Sequence, residues 1–141
     1  RIITKQALQF VINENKGVTV LYTIEPLKEK GIHETFDMDL ENSHIVKVGE
    51  DILGYVLFYE HKNKSNNSIW IEYIQAKQRG FGDGKRILEA LFSLGYSKIE
   101  GTSIYGPHFF WLDAGAVFDE EPDEDIYDGF SFELTKESFV K

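Results

Sequence analysis

Cysteine is absent from this 141-residue chain, which excludes disulfides, thiolate metal ligands and a thiol nucleophile together. No apolar run approaches the roughly 20 residues that cross a bilayer, and no charged-then-apolar leader opens the sequence. A cytoplasmic location without membrane contact is therefore expected. Basic residues are scarce: 15 Lys and Arg stand against 24 Asp and Glu, a formal net charge of −9. Without a basic stripe, nucleic acid is disfavoured as a partner. The histidines, His33, His44, His61 and His108, are scattered and make no H-E-x-x-H pair, so no metal is expected. Asp37, Asp39 and Glu41 alternate as a calcium loop begins, but Asn42 stands where the turn glycine is needed and Val48 where the closing glutamate should be. Hydrolysis by a Ser-His-Asp set lacks its G-x-S-x-G elbow.

What is present suits one domain over residues 1–141, with 42% apolar and 14% aromatic residues to build a core. The chain opens on Arg1 rather than methionine, which leaves room for a trimmed N-terminal segment. Thr4 to Asn15 carries apolar residues at spacings that fit a helix, or a first strand. Val18 to Ile24 reads as a strand, and Glu25 to Asn42, broken by Pro26 and Gly31, holds at most short helical turns. Ser43 to Lys47 and Ile52 to Tyr59 read as an antiparallel pair about the Gly49-Glu50-Asp51 turn. Ser68 to Ile74 is a strand, Gly95 to Ile104 another, and Ala116 to Phe118 and Gly129 to Leu134 close the pattern. The alternation is α+β.

The richest stretch is Gln78-Arg79-Gly80-Phe81-Gly82-Asp83-Gly84-Lys85, with its glycines and positive charge between the Ser68 strand and a helix. In that helix Ile87, Leu88, Leu91 and Phe92 share one face, and Gly95 offers a left-handed stop. Glycines let backbone N–H groups approach an anion without a Cβ in the way, and the helix N-terminus adds partial positive charge. A P-loop would need Ser or Thr after Lys85, and a dinucleotide fingerprint would space its glycines otherwise. A glycine-rich bend with no ligand is the plain alternative.

The spacing Arg79-x-x-Gly82-x-Gly84 resembles the coenzyme-A pyrophosphate loop of the GCN5-related N-acetyltransferase (GNAT) superfamily. Downstream, Phe110-Trp111-Leu112-Asp113-Ala114-Gly115-Ala116 resembles that family's Phe-Tyr, three residues, Gly-Phe helix. The order and spacing agree from Ser68 to Phe118. The resemblance implies a mixed, mostly antiparallel central sheet flanked by helices, acetyl-CoA as acetyl donor, and direct transfer to an amine.

By the same resemblance, Arg79, Gly80, Phe81, Gly82, Asp83, Gly84 and Lys85 hold the cofactor's pyrophosphate. Backbone near Ile74 and Gln75, in a bulge of the preceding strand, holds the thioester oxygen. Trp111 lies at the cofactor position where the family often has a tyrosine, but an indole cannot give up its proton. Tyr105 and His108, at the start of that helix, are the nearest acids. Glu72 is the favoured base, two residues before Ile74, in a setting where an apolar wall of Trp70 and Ile74 would raise its pKa. Each has a plain alternative: Trp111 a core aromatic, His108 a helix cap, Glu72 a solvated carboxylate.

Asp119 to Asp128 holds seven acidic residues and no basic one. Such a run is a solvated loop or a lure for a cationic acceptor. The sequence thus points to an acetyl-CoA-dependent N-acetyltransferase acting on a small amine or basic peptide. The alternative is a non-catalytic domain of the same fold that binds CoA or a protein partner. Oligomeric state is open, with a homodimer among the options.

Overall fold

In the computed structural model the described residues are 5–13, 16–61, 67–78 and 82–139. β1 (Lys5–Asn13) and β2 (Lys16–Pro26) form an antiparallel ladder from Lys5 opposite Ile24 to Asn13 opposite Lys16. The helical option is thereby overturned for Lys5–Asn13, the rest of that stretch lying outside the described residues. Apolar spacing there fits either period, and pairing with a distant strand decides between them. A one-turn helix α1 (Glu34–Asp37) and a 3-10 turn at Leu40–Asn42 follow. Next come β3 (Ser43–Val48), β4 (Asp51–Glu60) and β5 (Ser68–Ala76). Helix α2 (Asp83–Ser93) leads to β6 (Lys98–Ser103), and α3 (His108–Ala114) to β7 (Val117–Phe118) and β8 (Phe130–Thr135). Hydrogen-bonded neighbours run β1-β2-β3-β4-β5-β6-β8-β7. The β5–β6 pair is parallel, with α2 as its crossover, and the other registered pairs are antiparallel.

The chain forms two compact units. Arg1–Leu57 with Tyr73–Gly95 make the first, and Phe58–Glu72 with Tyr96–Lys141 the second. In the first, α2 buries Ile87, Leu88, Leu91 and Phe92, while Tyr22, Ile24, Val46 and Val56 are buried on the strands. Apolar residues at helical spacing thus do what the pattern predicts: one stripe leaves water. In the second, β8 alternates cleanly. Phe130, Phe132 and Leu134 are buried, while Ser131 and Glu133 face solvent. The sheet of that unit has one apolar face and one wet face.

Candidate functional site

Two backbone bonds locate an irregularity in β5. His61 N–H donates to Ser68 O at 3.1 Å and Lys77 N–H to Leu53 O at 2.8 Å. In a regular antiparallel pair, equal numbers of residues separate two such bonds on each strand. Here β4 spends eight steps from Leu53 to His61 and β5 nine from Ser68 to Lys77, so β5 carries one extra residue. β4 yields to it. A Cβ on Gly54 would lie 2.2 Å from Gln75 O and 2.9 Å from Ala76 Cα, so only glycine fits beneath this part of β5.

On its other edge β5 pairs with β6 only from Ser68 opposite Lys98 to Ile71 opposite Gly101. β5 continues to Ala76 and β6 to Ser103, so the register ends before the strands do. Backbone groups from Glu72 to Ala76 on that edge are released from β6, and extended backbone of this kind can hydrogen-bond a ligand.

Within the first unit this released strand leads toward α2. Gly82, the N-cap, has φ 77° and ψ 8°, a left-handed conformation that favours glycine, and a Cβ there would meet nothing within 4 Å. Asp83, Gly84 and Lys85 form the first turn, where N–H groups lack intrahelical acceptors. Asp83 sits 3.8 Å from Arg86, which offsets its negative charge at the helix start. Arg79, Gly80 and Phe81 lie outside the described residues. Behind the helix, buried Tyr22 donates to Glu89 Oε2 at 2.8 Å. Burial, then the Glu89 carboxylate, pushes the Tyr22 hydroxyl up to about 12, against a smaller opposing pull from Arg86.

A pair that the sequence did not disclose stands beside Ile74. Tyr73 stacks on His33, ring centroids 4.7 Å apart, and its hydroxyl is 3.4 Å from His33 Nε2. His33 Nδ1 accepts the Thr35 N–H at 3.1 Å, which leaves the ring hydrogen on Nε2. Tyr73 oxygen is then the acceptor, and its own proton is available to another group. Phe36 packs edge-on against Tyr73 at 5.3 Å. Forty residues separate His33 from Tyr73, and no motif links them.

The predicted acids and base fall in the second unit. Glu72 is exposed and accepts the Trp70 indole N–H at 3.0 Å, so the apolar wall expected around it is not there. His108 is buried at 3% exposure, and its Nδ1 accepts the Gly106 N–H at 2.9 Å. Tyr105, 37% exposed, lies 4.5 Å from the His108 ring. Trp111 is 5% exposed and stacks on Phe132 at 4.3 Å, the packing of a core aromatic rather than an open cofactor wall.

Asp37 accepts the Gly31 N–H and Asp39 the Asn42 N–H, so both carboxylates are engaged in shaping their loop. The acidic run is a solvent-exposed loop, turned by Asp123 Oδ1 accepting the Asp125 N–H at 2.9 Å.

No protein-family model matches the sequence, and no curated protein is similar to it. Solved structures are similar in fold. Naa50 of Arabidopsis thaliana, in complex with a bisubstrate analogue, has a TM-score of 0.55 at 11% identity, over 81% of this chain and 98% of that one. N-acetylglutamate synthase from Neisseria gonorrhoeae, complexed with coenzyme A and N-acetyl-glutamate, gives 0.54 at 11% identity over 81% of this chain. This chain spans 35% of that synthase chain. A GNAT-family protein from Desulfovibrio desulfuricans gives 0.50 at 16% identity over 72% and 75%. The fold is that of the GNAT superfamily: an α+β arrangement around a mixed, mostly antiparallel sheet.

Proposed function

We propose that this chain binds acetyl-CoA and transfers its acetyl group to an amine. One observation carries the reading. β5 bulges against β4, leaves β6 after Ile71 and leads to a glycine N-cap at Gly82. Released backbone suits a hydrogen-bonding extended ligand, and a glycine-opened helix start suits a phosphate. Coenzyme A has both an amide-bearing arm and a pyrophosphate. The similar synthase and Naa50 structures contain coenzyme A and a CoA-linked peptide analogue, which supports the same cofactor here.

In the reaction the amine nitrogen attacks the thioester carbonyl carbon, the N–C bond forms and the C–S bond breaks. Backbone N–H groups near Ile74 and Gln75 stabilise the oxyanion. A base takes the ammonium proton and the departing thiolate takes one back. Glu72 is the proposed base, an exposed carboxylate at the point where β5 leaves β6. His33 and Tyr73 form a second proton-handling pair, joined through Tyr73 to Ile74. Tyr105 and His108 remain the proposed acids. The acceptor is a small amine or a basic peptide.

Calorimetry with acetyl-CoA tests the cofactor. Gly82→Val places a branched side chain in left-handed backbone at the phosphate approach, so affinity should fall at least about tenfold. Unchanged affinity would sink the assignment. Tight acetyl-CoA binding without turnover on a broad amine panel favours a binding domain of the same fold. The burial of Trp111 at the usual tyrosine position supports that second reading.

A further inference from the structure

β1 (Lys5–Asn13) is the outermost strand of the sheet: β2 borders it on one side, and among the described residues no strand borders it on the other. Its ladder with β2 runs without a register shift from Lys5 opposite Ile24 to Asn13 opposite Lys16. Alternate residues of such a strand turn their N–H and C=O groups away from the partner, so a row of donors and acceptors lines the open edge. The usual defences of an edge are missing here. Proline, bulges and clustered charge all discourage pairing, yet β1 contains no proline, no break in register and one charged residue, Lys5. The other end of the sheet differs, since β7 is two residues long, Val117 and Phe118.

We propose that the open edge of β1 pairs antiparallel with β1 of a second copy of this chain, about a two-fold axis through Gln9. Charge selects the place of contact. The formal net charge is −9, so two copies repel over most approaches, but the first acidic residue of the chain is Glu14 and β1 holds none. Pattern selects the register. Centred on Gln9, all nine residues of the strand find a partner: Lys5 stands opposite Asn13, Ala7 opposite Val11, Leu8 opposite Phe10 and Gln9 opposite itself. Apolar positions then meet apolar positions and the one cation meets a neutral amide, with Gln6 opposite Ile12 as the one mixed pair. Any other centre leaves part of the strand unpaired. Such a contact closes on itself, and β7 is too short to receive a nine-residue strand, so the product is a dimer rather than a filament. Edge pairing buries less surface than a standard interface, which places the dissociation constant at about 10 to 100 μM. Association of this kind requires no acetyl transfer.

Sedimentation of the full chain from about 5 to about 500 μM should show a monomer–dimer equilibrium. Gln9→Glu and Gln9→Lys each set like charges opposite one another across the axis, so each protein alone should dimerise at least about threefold more weakly. Mixing the two in equal amounts should restore roughly native affinity, because unlike charges then meet, whereas a folding defect is not repaired by mixing. A second measurement needs no substitution. In the unaltered chain, NMR-detected hydrogen exchange of alternate β1 amides should slow at least about threefold between about 20 and about 500 μM protein. A monomer throughout that range, growth beyond a dimer, or a dimer indifferent to both Gln9 changes would overturn the proposal. Exchange of the β1 amides that ignores concentration would overturn it too.

Discussion

Ser68–Ile71, the first part of β5, is held by β6 in unbroken parallel register, whereas Glu72–Ala76 lies beyond that register, in a strand that carries an extra residue against β4. Both stretches belong to one strand of similar composition. The first has all its neighbours and presents side chains, including Trp70 on the wet face. The second has lost a neighbour and presents backbone. Regular pairing fixes the fold, while its interruption creates unpaired donors and acceptors that a ligand can satisfy. The interruption is supported from below by Gly54 and from the chain ahead by α2.

The largest expected effect separates the supports of these two stretches. Gly54 lies under the end of β5, and an added Cβ would strike backbone at Gln75 and Ala76. Gly101 lies beside the regular stretch, where an added Cβ would meet the Phe132 ring at 2.9 Å and the backbone oxygen of Ile71 at 3.0 Å. The overlap at Gly54, 2.2 Å from Gln75 O, is far deeper than either contact at Gly101, so its surroundings must move further. Gly54→Ala should therefore cost about 3 kcal/mol or more in urea denaturation, and Gly101→Ala about 1 kcal/mol. Equal losses would show that the bulge is no stiffer than the paired stretch.

Glu72 stands at the junction of the two. If it is the base, Glu72→Gln should lower the rate at neutral pH by roughly 10²-fold, with acetyl-CoA affinity nearly intact. If protons pass instead through the pair next to Ile74, His33→Ala or Tyr73→Phe should produce that loss. Rates measured on an identified acceptor decide between them. Equal activity of Glu72→Gln and the native protein removes Glu72 from the mechanism.

Much of this was legible in the sequence. The glycine-rich approach to α2, its apolar stripe and the succession of strands from Ser43 onward follow from local pattern, whereas the Gly82 N-cap and the parallel pairing of β5 with β6 come from the structure. β1 was ambiguous because its partner, β2, decided its conformation. The His33–Tyr73 stack was hidden because tertiary folding alone brings its members together. Glu72 was misjudged in its surroundings: a strand pattern gives a face, but not whether that face is covered. Trp70 faces water with it, and neither residue's periodicity says so.

A smaller effect concerns how α2 is anchored behind the released stretch. In the folded chain the Tyr22 hydroxyl ionises near 12, above its ordinary value of 10.0, chiefly through burial and then through Glu89. A raised value means that folding favours the neutral phenol. This contribution is complete below about pH 10 and is lost as pH rises toward 12. Tyr22→Phe should cost about 1 kcal/mol at neutral pH through the lost hydrogen bond, and its stability should fall less steeply than the native protein's across that window. Tyr96, raised in the same direction by burial and Glu60, is common to both proteins. Parallel curves from pH 9 to 12 would deny Tyr22 this role.

The smallest expected effect belongs to the acidic run. Glu120, Glu121, Asp123 and Glu124 are largely exposed in the loop between β7 and β8, so their influence on a ligand is long-range and screened by salt. If the run concentrates a cationic acceptor, changing these four residues to their amides should raise the acceptor KM about two- to fivefold and leave that of acetyl-CoA unchanged. Salt from about 0.05 to 0.5 M should reproduce the rise in the native protein, because the Debye length then falls from about 14 to about 4 Å. The released stretch of β5 works through fixed backbone geometry, so acetyl-CoA binding there should respond less to the amides than the acceptor does. An acceptor KM indifferent to both treatments would leave the run a solvated loop and confine recognition of the cation to groups nearer the sheet.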